Sequence, residues 1–119
     1  MDEEQFFQGL LQGFPQLEGM RAEHLEFYEE FLSHVFLAEV ARWAVGLFGH
    51  AGQGVTEEAV GVRLIDFIET AYVHGNCAVR ELIRVSFVEN LPSSGQEGAR
   101  INEHLMGNLR RIFLETRQG

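Results

Sequence analysis

The sequence predicts an all-α fold: a compact orthogonal bundle of five or six helices with a central HEAT-like helical hairpin. Two observations predict it. Apolar residues recur at spacings of three and four along the chain, and no stretch alternates apolar and polar residues for long. Glycines, prolines and capping residues then cut this pattern into segments of helical length. Size sets the frame: 119 residues, 45% hydrophobic and 23% charged, read as one helical domain spanning 1–119. A chain of that length buries about two-thirds of its unfolded surface, so a core forms without covalent staples.

The first helix is expected at about Asp2 to Gln12, with Phe6, Phe7, Leu10, Leu11 and Phe14 as its stripe. Asp2, Glu3 and Glu4 suit its positive end, and Gly13 and Pro15 stop it. The second is expected at about Met20 to Leu32, with Leu25, Tyr28 and Leu32 inward and its glutamates outward. The third runs from about Ser33 to Phe48 and carries Val35, Phe36, Val40, Trp43, Ala44 and Leu47. Ser33 either caps it or lies inside one long bent helix; a break there is the preferred reading. A loop with three glycines follows, Gly49-His50-Ala51-Gly52-Gln53-Gly54.

Thr56, with Glu57 and Glu58 behind it, has the pattern of an N-cap for a fourth helix ending at about His74. Gly75 fits the left-handed position that ends this helix, and Asn76 caps a fifth, Cys77 to about Asn90. Gly75-Asn76 is thus the tight turn of an αα-hairpin. The fifth helix is apolar on nearly every side, which marks a central element flanked by the fourth and sixth. Its charges are Arg80, Glu81, Arg84 and Glu89; Glu81 and Arg84 stand at pairing distance, so one face is expected to reach solvent. A last helix is expected from about Gln96 to Thr116.

Composition excludes several classes of function. A single cysteine allows neither an internal disulfide nor a Cys-rich zinc site. All nine basic residues are arginine, so a P-loop lysine, a Schiff base and a lysine general base are absent. The net charge of −9 opposes non-specific nucleic-acid binding, which needs a cationic surface. No apolar run is long enough to span a membrane. The acidic start, Met1-Asp2-Glu3-Glu4, is unlike a signal peptide, and a cytoplasmic protein is expected.

No catalytic or metal-binding pattern emerges. No glutamate has a histidine three residues on, and His-Glu-x-x-His is absent, so no metal or cofactor is expected. Glu30 and His34 could pair on one helix face. Cys77, beside a helix N-terminus, has the position of a reactive thiol but no evident base other than His74, and a small structural cysteine is the plainer reading. The glycine loop lacks the preceding strand and following lysine of a phosphate loop.

The charge distribution is the functional signal. Residues 1–60 hold eleven carboxylates and two arginines; residues 61–119 hold seven of each. Solubility explains such a face, and so does a cationic partner.

Two stretches carry a resemblance. One is Phe31-Leu-Ser-His-Val-Phe-Leu-Ala-Glu-Val-Ala-Arg-Trp43. The other is Leu64-Ile-Asp-Phe-Ile-Glu69, followed by Leu82-Ile-Arg-Val-Ser-Phe-Val-Glu-Asn-Leu91 and Gly107-Asn-Leu-Arg110. They are similar to small, acidic, all-helical bacterial proteins of unassigned function resembling immunity proteins of polymorphic toxin systems. The likeness spans about residues 31 to 112, rests mainly on core positions and implies no catalytic residue. It implies a non-catalytic protein that binds and neutralises a toxin domain, a cationic one on the charge argument. Carboxylates expected to meet it are Glu23, Glu26, Glu29, Glu30, Glu57 and Glu58. A regulatory or adaptor module binding another cellular protein would use the same surface. A small enzyme or ligand carrier would need a shaped pocket holding Cys77 or a histidine.

Overall fold

The computed structural model describes residues 1–49 and 55–117. All secondary structure among them is helical. Helix α1, Glu3–Gly13, opens with a capping box: Asp2 accepts from the Gln5 N–H, and the Gln5 side chain accepts from the Asp2 N–H. Its Phe6, Phe7 and Leu10 are buried, as their spacing requires. A 3₁₀ turn at Pro15–Leu17 leads into α2, Glu18–Tyr28. Helix α3 is Ser33–Gly46 and α4 is Val55–His74. Thr56 therefore lies in the first turn of α4 rather than capping it. The rest of the glycine loop, 50–54, lies outside the described residues.

The break between α2 and α3 is confirmed, but α2 stops four residues short of the expected Leu32. Glu29 takes the left-handed conformation (φ 64°) and donates its N–H to the Leu25 carbonyl. Inward residues also differ from expectation. Tyr28 is exposed and Leu25 only partly buried, whereas His24 is 2% exposed. Hydrophobicity alone misses this, because a histidine whose ring nitrogens both find partners can be buried at small cost.

The turn between α4 and α5 forms as expected, and Asn76 accepts from the Val79 N–H. Gly75, however, is not left-handed. Close approach explains it instead: a Cβ there would meet the Val79 side chain at 2.6 Å and the Ala71 carbonyl oxygen at 2.7 Å. Helix α5, Cys77–Leu82, continues without a break through a π-helical turn, Ile83–Phe87, and a 3₁₀ turn, Val88–Asn90. The π turn buries Ser86 against α3, where its hydroxyl and His34 Nδ1 lie 2.7 Å apart. Asn90 Nδ2 donates to the Ser86 carbonyl, supplying a partner where the helical ladder changes register. His34 thus meets Ser86, not Glu30, which lies beyond the end of α2.

The long α5 segment packs against α1, α3, α4 and the last helix. Val79, Leu82, Ile83, Phe87 and Val88 are buried; Arg80, Glu81, Arg84 and Val85 face solvent. One face is thus open to solvent, as the placement of its charges predicts, and the rest is buried.

The expected last helix is two elements. Ala99–His104 is 3₁₀, Leu105 and Met106 are extended, and α6 is Gly107–Thr116. Merging α5 with its continuation and Pro15–Leu17 with α2 leaves seven helical segments among the described residues, more than the five or six expected. One buried apolar cluster joins them, from Phe6 to Ile112.

Candidate functional site

The carboxylates singled out by charge do not form one surface element. Glu23 and Glu26 project from α2, exposed. Glu29 is the left-handed C-cap of that helix and Glu30 lies just beyond it, both exposed. On α4, Glu57 is half-buried, and Glu58 pairs with Arg100 at 2.6 Å, which neutralises it within the molecule. No ion pair involves Glu23, Glu26, Glu29 or Glu30 among the described residues.

Sequence reasoning missed an exposed aromatic on α2 beside Glu23. Phe27 is 79% exposed, the most exposed large apolar side chain described, and its ring meets Tyr28 edge-on at 4.8 Å. A signal was available: Phe27 falls on the glutamate face of the helix, at i+4 from Glu23.

Beside Phe27 lies an open pocket of about 400 Å³ lined by Met20, Glu23, His24, Phe27, Tyr28 and Glu39. The α2 residues follow a helical stripe, and Glu39 closes the pocket from α3. Its floor is built around His24. The Leu32 N–H donates to His24 Nε2 at 3.0 Å, so the proton sits on Nδ1, which donates to Glu39 Oε1 at 3.2 Å. The ring is neutral in this arrangement, and its contact with Glu39 is a hydrogen bond rather than an ion pair. Tyr28, Phe31 and Phe36 surround the imidazole. The Leu32 bond draws the chain back over His24 and so sets where α2 gives way to α3.

The remaining candidates are placed apart from this surface. Cys77 is exposed at the first position of α5. The His74 carbonyl accepts from the Met1 ammonium at 2.9 Å. Among the described residues no hydrogen bond joins the two side chains of Cys77 and His74. Glu81 accepts from Arg84 as expected, and that bond raises the Arg84 guanidinium above its ordinary value. No group of three or more potential metal ligands occurs among the described residues, and no described helix is long and apolar enough to cross a membrane.

These features define an all-helical protein whose most distinctive described surface is an unpaired acidic face with an exposed aromatic beside Glu23. The chain belongs to the family described as Domain of unknown function (DUF7674), whose model matches residues 7–119. No curated protein and no solved structure matches it.

Proposed function

We propose that this chain is a non-catalytic binding protein of the immunity type, a bacterial cytoplasmic protein that occupies a cationic toxin domain and blocks it. A single observation carries the reading: Phe27 stands exposed among Glu23, Glu26, Glu29 and Glu30, none of them ion-paired among the described residues. Interfaces take most of their affinity from a few aromatic anchors, and surrounding charge speeds encounter and selects the partner. Unpaired carboxylates repel one another at a few tenths of a kcal/mol per pair, a cost that a cationic partner reverses. The resemblance of residues 31 to 112 to small acidic helical proteins of unassigned function, which themselves look like immunity proteins, suggests this choice of partner. We read the chain as one domain, an orthogonal bundle, in which the α4–α5 hairpin holds a HEAT-like position.

Co-expression with the product of the adjacent gene tests the proposal. The expected result is a stable complex and relief of that product's toxicity. Absence of both, or turnover by this protein that is lost in Cys77→Ala or His74→Ala, would sink it.

A further inference from the structure

We propose that the pocket beside Phe27 receives an arginine side chain presented by a protein partner. The inference rests on the reading of the chain as a protein-binding module and names the group that it recognises. Three observations converge on a guanidinium. The pocket has two carboxylates on its lining, Glu23 from α2 and Glu39 from α3. Glu39 uses Oε1 on His24, which leaves Oε2 to accept from a ligand. Two aromatic rings, Phe27 and Tyr28, stand at the same opening, and Met20 adds a soft apolar wall. A planar cation that stacks on aromatic faces while donating in parallel to carboxylates matches this set; a compact ammonium satisfies the carboxylates but not the rings.

The pocket volume of about 400 Å³ admits such a side chain, and its walls are already in place. His24 is fixed by Leu32 and Glu39, so Glu39 and the end of α2 are held before any ligand arrives. The nearest arginine on α2, Arg21, lies toward Glu18 at 3.8 Å and does not line the pocket. A second copy of this chain is disfavoured as occupant, because two faces carrying Glu23, Glu26, Glu29 and Glu30 repel on approach.

The test needs no partner. ¹⁵N-labelled full-length protein is titrated with N-acetyl-arginine amide, with N-acetyl-citrulline amide as the uncharged isostere and N-acetyl-lysine amide as the compact cation. The expected result is saturable shifts confined to Met20–Tyr28 and Glu39. Citrulline binds at least fivefold more weakly and lysine falls between. Phe27→Ala and Glu23→Gln, both changes at exposed positions, each weaken arginine binding at least threefold while the remaining spectrum stays in place. Non-saturating shifts spread over every exposed carboxylate, or an equal response to citrulline, would overturn the assignment. The functional reading fails separately. A chain that binds arginine here but forms no protein complex refutes only the function. A chain that forms the complex without shifts in this pocket refutes only the arginine site.

Discussion

Glu69 on α4 caps helix α6 from 39 residues away: its Oε1 accepts both the backbone N–H and the side-chain amide of Asn108, at 2.9 and 3.0 Å. Its Oε2 accepts the Leu109 N–H at 3.0 Å. The residue in the N-cap position, Met106, has no side-chain acceptor, so a carboxylate from another helix takes the place of a local Ser or Asp. Replacing Glu69 by Ala should cost about 1–3 kcal/mol, the range for charged hydrogen bonds that are only partly buried. Glu69→Gln, which keeps one acceptor oxygen, should cost less. Chemical denaturation measures both; equal losses would mean that the charge and second acceptor oxygen carry the whole cap, and no loss in Glu69→Gln would mean that packing and a single acceptor suffice.

His24 gives a second stability prediction. His24→Phe keeps an aromatic ring among Tyr28, Phe31 and Phe36 but leaves the Leu32 N–H without its acceptor. The expected loss is about 1–3 kcal/mol. Glu39→Gln retains an oxygen for His24 Nδ1–H and should lose less. Amide exchange should show Leu32 opening faster in the first variant and little changed in the second.

Two left-handed glycines separate backbone strain from collision. Gly95 has φ 88°, and a Cβ there would have no neighbour within 4 Å. Gly98 has φ 81°, and a Cβ there would sit 2.3 Å from Val45 Cγ1 and 2.9 Å from the Val45 carbonyl oxygen. Gly95→Ala should cost about 1–2 kcal/mol for the left-handed conformation alone. Gly98→Ala should cost at least about 1 kcal/mol more, since backbone must also move. Thermal denaturation of the pair checks the order; a reversal would place the tight contact elsewhere.

Charge reversal on α2 should separate binding from folding. In Glu23→Arg with Glu26→Arg, two exposed carboxylates beside Phe27 change sign, and neither is ion-paired among the described residues. Stability should hold or rise by a few tenths of a kcal/mol. Association with a cationic partner should slow at least about tenfold at low salt, with a flatter salt dependence. Stopped-flow association at two ionic strengths reads this, and an unchanged rate at both would remove α2 from the interface.

Local periodicity by itself determined which faces turn inward on α1 and α3 and most of those on α5. Phe6, Phe7, Leu10, Phe36, Val40, Leu82 and Phe87 are buried where their spacing places them. The Asn76 cap was equally legible, since its acceptor and the Val79 N–H lie three residues apart. The acidic half was legible as a charge count, but the exposed Phe27 and the pocket at its side were not. Only the tertiary structure decided where α2 ends, why His24 is inside, where the last helix breaks and which residue caps α6. These depend on hydrogen bonds between residues well beyond one helical turn: Leu32 to His24 for the end of α2 and its buried ring, Asn108 and Leu109 to Glu69 for the start of α6. A helical period records which side of a segment avoids water. It holds no record of a polar partner brought in by another helix, and such partners fix the ends of these elements and the shape of the surface between them.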